Sequence, residues 1–301
     1  MVAKNIRLPN IRRMLVPDPG YTIVDADLSG ADAQVVAWEA KDDELKDAFR
    51  KGLKIHIHNC RAMRPDETKD MEDAEIKKSR FYDENKRGVH ATNYGGSVNA
   101  LVERIGWSKS FASEFQERWF HLHPGIREWH RRYDRYLAGT QCYNCDNLDI
   151  VLGRPCNCCG ASLGRTVKNA FGFRRTYFER IDGQLLPAAL AWTPQSTVNF
   201  CVELGWTAIA SGPEFTFATS HNGVNTYDWS HLLVDFDYAR WRPVMQFLLQ
   251  VHDSIVFQVP HRYEDDIPAM VKSMQVRVPY SDELIIPMSF GKSRLSWGDC
   301  E

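Results

Sequence analysis

Two widely separated acidic residues and a cluster of thiols are the groups in this sequence best suited to chemistry. The run YTIVDAD (residues 21–27) is rich in β-forming residues and ends in acid, so a strand there carries Asp25 and Asp27 to its C-terminal end. Far along the chain, QVHDS (250–254) sits between the apolar runs MQFLL and IVFQV, which predicts a buried hairpin with His252 and Asp253 at its tip. An Asp at a tight tip serves turn chemistry more often than anything else. Paired with Asp27 at the end of a second apolar strand, it gains another use, because two carboxylates on adjoining strands can share divalent cations. Two metals about 3.5–4 Å apart can activate an attacking hydroxyl and stabilise the leaving oxygen of a phosphoryl transfer. Mg²⁺, which prefers oxygen ligands and keeps several waters, suits such a site.

A second constellation is a stripe at helical spacing: Tyr82, Lys86, His90 and Tyr94 recur every four residues and so share one side of a helix. A stripe of rings is ordinarily a packing seam, but Lys86 is ill suited to one, and a Lys followed by flat rings can hold a triphosphate and then a base. Gly95 and Gly96 end the helix and permit close approach of another group. The third constellation is CYNCDNLDIVLGRPCNCC (142–159). Cys142-x2-Cys145, ten residues, then Cys156-x2-Cys159 is the spacing of two knuckles, and four thiolates so arranged suit tetrahedral zinc. The competing reading is a reduced cysteine-rich loop, and Cys158 could compete for a ligand position. DADLSGAD superficially resembles a calcium loop, but Val36 stands where a bidentate Glu is needed. The alternating pairs His56/His58 and His121/His123 read as ordinary surface residues rather than metal pairs.

The elements that must position these groups follow from pattern. A helix is expected after the first strand, entered through Ser29 and running to about Gly52; residues 61–85 predict a charged helical surface; a long helical region spans about 82–138 with breaks near YGGS and at Pro124. RTVKNAFGFRRTYFERIDG predicts a β-hairpin with a basic rim at Arg174 and Arg175, residues 187–210 a helix disturbed at Pro194, and 211–240 a loop. The strands around HDS, a helix near 263–275 and a last strand at LIIPMSF close the chain. With 301 residues, 44% apolar and 25% charged, the chain can bury a large core. Its 37 basic and 39 acidic side chains give a net charge of −2, so any nucleic-acid site must be a local basic groove. The scattered Cys60, Cys201 and Cys300 argue against a disulfide framework and for a reduced compartment. No membrane span and no signal-type apolar core at the N-terminus are visible, so a cytoplasmic setting is expected.

Five segments in order give these groups a family context. PDPGYTIVDADLSGADAQVVAWEAKDDELKDAFRKGLKIHIH, KRGVHATNYGGS, NAFGFRRTYF, PQST and LLQVHDSIVFQV resemble, respectively, the first palm motif, the nucleotide-binding fingers helix, the Gly-Arg-Arg hairpin, the Gln-Gly-Thr segment and the last palm motif of family A (DNA polymerase I-like) DNA polymerases, phage enzymes in particular. The resemblance implies that Asp27 and Asp253 are the catalytic metal-binding carboxylates, holding two Mg²⁺ with the carbonyl of Leu28. It implies that His56 and Lys86 meet the triphosphate, that His90 and Tyr94 flank the sugar and base, and that Asp32 faces the sugar 2′ position. Gln195 and His252 are implied near the primer terminus and minor groove, and Arg174 and Arg175 on the DNA backbone. The chain departs from the pattern at three places. Tyr82 stands where an Arg usually binds phosphates, so either Arg80 or Arg87 substitutes or nucleotide affinity falls; Asp32 replaces a longer Glu, which loosens sugar discrimination; Ser254 replaces a Glu beside the last catalytic Asp. Single-subunit RNA polymerases also carry HDS, but the acid at position 32 favours the DNA enzyme.

The fold class implied is α+β: a polymerase palm, with an antiparallel sheet flanked by helices, a mostly helical fingers subdomain and a small zinc-ribbon-like insert. The division by role is 1–58 palm, 59–138 fingers, 139–164 four-cysteine insert, and 165–301 hairpin and second part of the palm. The activity implied is template-directed transfer of deoxynucleotides to a primer 3′-hydroxyl in replication, with primer-template DNA and deoxynucleoside triphosphates as partners and Mg²⁺ and structural Zn²⁺ as cofactors. Only about ten residues precede the first palm element, whereas the family carries a thumb and usually a proofreading domain ahead of it. The expectation is therefore a separate polypeptide supplying those parts, or a fragment. The alternative is a catalytically impaired, zinc-containing DNA-binding subunit of a split polymerase. A phage origin places the chain in host cytoplasm.

Overall fold

The computed structural model describes residues 10–151, 154–180, 182–212, 214–218 and 224–300. Strand β1 (Tyr21–Leu28) forms over the β-rich run. The helix expected from Ser29 to Gly52 is two helices, α1 (Ala31–Glu39) and α2 (Asp43–Arg50). Gly30 at φ +60° precedes α1 where Ser29 was expected to cap it, and Lys41 at φ +53° ends the first piece. The Asp42 carboxylate then accepts the Leu45 N–H at 3.0 Å and caps α2, so the acidic pair in KDDEL starts a new helix instead of continuing the old one.

The charged stretch after it is α3 (Ile55–Met63), α4 (Pro65–Thr68) and α5 (Asp73–Lys78). The long helical region is α6 (Arg80–Asn93), α7 (Val98–Ile105), α8 (Lys109–Leu122) and α9 (Pro124–Ala138), broken at Gly95–Gly96 and Pro124 as predicted and also at Gly106, φ +88°. Ser97 and Ser108 cap α7 and α8 by accepting the N–H groups of Ala100 and Phe111, each at 3.2 Å. Strands β2 (Thr166–Lys168) and β3 (Arg174–Thr176) make the predicted hairpin, and α10 (Leu185–Ser211) runs through Pro194.

Residues 211–240, expected as loop, hold the antiparallel pair β4 (Glu214–Ala218) and β5 (Val224–Asp228) and two 3-10 turns, Ser230–Leu232 and Phe236–Trp241. Each strand is five residues long, too short to show a clear period in sequence. The chain ends with β6 (Gln246–Val251), β7 (Ser254–Pro260), a 3-10 turn His261–Asp266, α11 (Ile267–Ser273), β8 (Arg277–Val278), β9 (Leu284–Ile285) and β10 (Met288–Ser293). LIIPMSF, expected as one strand, is split before Pro287, which cannot donate to a ladder.

By compactness the chain forms two units, Met1–Ala31 with Val198–Glu301, and Asp32–Thr197; this partition differs from the division by role. In the first unit the sheet order is β10-β1-β7-β6, all antiparallel, so β1 is central although it comes from the start of the chain. Ile23, Val24 and Ala26 of β1, Val256, Phe257 and Val259 of β7, and Ile267 and Met270 of α11 are buried. Gly205 in α10 lies so near the Met274 carbonyl that a Cβ would overlap its oxygen. In the second unit Trp119, Ile126, Trp129 and Leu101 are fully buried, and the Trp119 indole N–H donates to Asn93 Oδ1 at 2.7 Å. His123 is buried 3.2 Å from Asp42 Oδ1, not at the surface as its pairing with His121 suggested. The mixed helical and antiparallel architecture is the α+β class expected. Among the described residues no helix is long and apolar enough to cross a membrane.

Candidate active site and cysteine metal centre

Asp27 is the penultimate residue of β1, and its register partner on β7 is Ser254, the residue that follows Asp253. The two-residue tip between β6 and β7 is His252–Asp253. The Leu28 N–H donates to the Asp253 carbonyl at 3.1 Å, which fastens the tip to the end of β1 and brings the two carboxylates together. Packing on its inner side, then the charges of Asp253 and Asp25, push the Asp27 carboxyl up to about 6, with Arg12 pulling the other way. A carboxyl raised by burial and neighbouring acids in this way fits a divalent cation, whose charge offsets the repulsion. Ser254 is buried and its hydroxyl donates to the Val251 carbonyl at 3.2 Å, so it serves the turn. His252 is exposed and holds φ +54°, a region that favours Gly.

Sequence reasoning gave Asp25 no role. On the same face of β1 as Asp27, it accepts the Trp297 indole N–H at 2.7 Å through Oδ2 and lies 3.8 Å from Arg12, while its buried Oδ1 has no partner among the described residues. The two-residue period of the strand was the signal that could have found it.

In the second unit, Asp32, His56, Lys86, His90 and Tyr94 all line one cavity of 280 Å³ between α1, α3 and α6. Helix α6 therefore presents the predicted stripe, with one exception. Tyr82 packs against the buried cluster Ile57, Cys60 and Ile76, its ring edge-on to His56 at 6.4 Å, so at that position the packing reading is correct. Of the two arginines expected to compensate, Arg87 lines the cavity, whereas Arg80 is ion-paired to Glu84 at 3.1 Å. Burial, then Lys86 and His90, lowers His56 to about 4; burial foremost lowers His90 as well. Both imidazoles are thus neutral near pH 7, and Lys86 and Arg87 carry the positive charge. The Tyr94 hydroxyl donates to Asp32 Oδ2 at 2.8 Å, and the rings of His90 and Tyr94 meet edge to face at 4.6 Å. Asn59, missed in sequence, also lines the cavity, and its buried Oδ1 has no partner among the described residues. A second cavity of 450 Å³ shares Arg87, His90 and Tyr94 and is otherwise lined by Gly95, Gly96 and residues of α10 such as Pro187. Arg174, Arg175 and Gln195 are exposed and line neither cavity.

The four thiols of Cys142, Cys145, Cys156 and Cys159 lie within 4.8 Å of one another; the Cys142–Cys159 and Cys145–Cys156 sulfurs are each 3.6 Å apart. Bonds of about 2.3 Å in a tetrahedron put sulfurs about 3.8 Å apart, so the set fits zinc closely. Backbone N–H groups of Cys159 and Cys158 pull the Cys156 thiol down to about 6 and the Asn144 side chain pulls Cys159 down, whereas burial raises Cys142, and burial with the neighbouring thiols raises Cys145, a crowding of four sulfurs that a cation relieves. Cys158 is exposed and outside the cluster.

The sequence model of DNA polymerase family A matches residues 3–144. DNA polymerase I of Geobacillus stearothermophilus is 31% identical over 124 residues, which are 40% of this chain and 13% of that protein. Thermostable DNA polymerase I of Thermus filiformis is 28% identical over 294 residues, 95% of this chain and 28% of that protein. The chain thus spans well under a third of the length of these curated relatives. The solved POL domain of Pol1 from M. smegmatis, in complex with DNA primer-template and dNTP, shares the fold with a TM-score of 0.67 at 18% identity, covering 98% of this chain and 44% of that one. The family model, over a little less than half of the chain, and the DNA polymerase I relatives liken this chain to the polymerase region of family A DNA polymerases, and the shared fold agrees with that likeness.

Proposed function

We propose that the chain acts as a template-directed DNA polymerase, adding deoxynucleotides to a primer 3′-hydroxyl. The observation that carries this reading is the meeting of Asp27 and Asp253 at the end of the sheet, where burial and the charge of Asp253 raise the Asp27 carboxyl. In this reading Asp27, Asp253 and the Leu28 carbonyl hold two Mg²⁺, which when bound neutralise charge developing on the attacking and leaving oxygens. His56 and Lys86, with Arg87, receive the triphosphate; His90 and Tyr94 flank the base and sugar; Asp32, tied to Tyr94, faces the sugar 2′ position. Arg174 and Arg175 hold the DNA backbone, and Gln195 and His252 touch the primer-template near its terminus. The protein's part is chiefly positioning and charge neutralisation. The division by role, with palm at 1–58 and 165–301, fingers at 59–138 and insert at 139–164, belongs to the same proposal, as do structural Zn²⁺ at the four cysteines, a phage source, a cytoplasmic setting and a second polypeptide bringing thumb and proofreading parts.

Single-nucleotide extension of a labelled primer-template in Mg²⁺, beside Asp253→Ala, tests the reading. Extension by the wild type alone is expected; extension by Asp253→Ala would sink it. One observation favours the second reading, a zinc-containing DNA-binding subunit with impaired catalysis: the Tyr82 position packs inward and offers no phosphate ligand. Primer-template binding with no extension would select that reading.

A further inference from the structure

Resting on the zinc reading above, we infer that the four-cysteine centre anchors the Arg174–Arg175 hairpin, so that nucleic-acid binding by this chain depends on the metal. Apart from the thiols, the region between α9 and β2 is held at its start, where Arg135 donates to Gln141 Oε1 at 2.7 Å and the Tyr136 hydroxyl donates to Asp146. Among its described residues no helix or strand forms; Leu148 and Val151 face out, at 63% and 58% exposure, and Ile150 and Leu163 are half-buried. Each cysteine pair instead closes a tight turn: the Asp146 N–H donates to the Cys142 carbonyl at 2.9 Å and the Gly160 N–H to the Cys156 carbonyl at 2.8 Å. A segment with two such turns, no regular element and Tyr143 as its one large buried ring among the described residues takes its shape chiefly from the metal that joins the turns.

The first turn is also where the hairpin is tied. Lys168 of β2 donates to Asn144 Oδ1 at 2.9 Å, and Asn144 sits between Cys142 and Cys145. The Arg174 guanidinium lies 5.9 Å from the centre of the Tyr143 ring, next in the same turn. The hairpin has only three residue pairs, and every residue of β3 is exposed, so alone it is marginal. Its charge suits a polyanion: between residues 165 and 180, Arg165, Lys168, Arg174, Arg175 and Arg180 stand against a single acid, Glu179, in a chain whose net charge is −2. Phe173 and Phe178 stand exposed among these cations, 44% and 89%. Basic residues interleaved with open rings are the makeup of a surface that tracks a nucleic-acid backbone and stacks on bases. The centre thus fixes the direction in which this surface points.

The test compares zinc-loaded and chelator-stripped full-length chain, each measured for zinc content and for primer-template affinity across a salt series without nucleotide. One zinc per chain is expected, with binding about tenfold weaker after stripping. The salt slope should shrink by about 2, as the loss of two phosphate contacts requires. Tyr143→Leu, which keeps all four sulfurs, should retain the zinc and still bind about threefold more weakly. Zinc bound but affinity unchanged on its removal would overturn the inference and leave the zinc assignment standing. No zinc would overturn both. Unchanged affinity in an Arg174→Ala/Arg175→Ala double variant would overturn it as well, whatever the metal content.

Discussion

The Tyr94 hydroxyl donates to Asp32 Oδ2 at 2.8 Å, joining the end of α6 to the first turn of α1 inside one unit. A hydrogen bond to a charged acceptor holds the shorter acid in one orientation, in place of the reach a Glu would have. Tyr94→Phe frees it. The expected loss is about 1–2 kcal/mol of stability, together with a smaller preference for deoxy- over ribonucleoside triphosphate in single-nucleotide incorporation. An unchanged preference would mean that Asp32 does not face the sugar.

Asp27→Asn and Asp253→Ala should each lower extension by at least about a thousandfold, the scale of losing a principal electrostatic group, while primer-template affinity changes little. Mg²⁺ should raise the melting temperature of the wild type and not of Asp27→Asn. Equal Mg²⁺ stabilisation of the two proteins would remove the cation from this site.

His56 provides a pH test. Its folded pKa, about 4, lies below the ordinary 6.5, so between those values the unfolded chain binds the extra proton and gains on the folded one. Stability from neutral His56 is complete above about pH 6.5 and is lost as pH falls toward 4, by at most about 3 kcal/mol at roughly 1.4 kcal/mol per unit. Urea midpoints from pH 7 to pH 4 should fall more steeply for the wild type than for His56→Gln. Parallel curves would contradict the burial and Lys86 effects described.

At the hairpin tip, His252 holds φ +54° without being Gly. His252→Gly should stabilise the chain by about 1 kcal/mol if only the strain of the left-handed conformation is relieved. Extension should nevertheless fall, because a side chain kept at such a cost is proposed to touch the primer-template. A variant that is both more stable and equally active would make the histidine incidental.

The groups that carry periodicity were legible in sequence. β1, the hairpin around His252–Asp253, the Lys86–His90–Tyr94 face and the four-cysteine cluster each follow from local spacing, and the structure has them there. What was not legible depended on partners distant in sequence. Asp42 as a cap that splits one expected helix needs His123 and the Leu45 N–H to be understood. Tyr82 sits on the predicted stripe but turns toward Ile57 and Ile76, which only the packing of α3 and α5 decides. Asp25 and Asn59 are ordinary residues in sequence and become notable only through a buried oxygen without a partner among the described residues.

The central place of β1 has a consequence for how the chain reaches this structure. Its ladder partners on β7 and β10 arrive more than 200 residues later, as the pairings Asp27 with Ser254 and Asp27 with Ser289 require. At roughly 5–20 residues per second of synthesis, a ribosome leaves this apolar strand without its sheet for on the order of ten to fifty seconds. The second unit, whose residues are continuous from Asp32 to Thr197, can meanwhile assemble. Nascent β1 is therefore the segment most in need of a chaperone, and the sheet that holds Asp27 and Asp253 together is the last part of the molecule to exist.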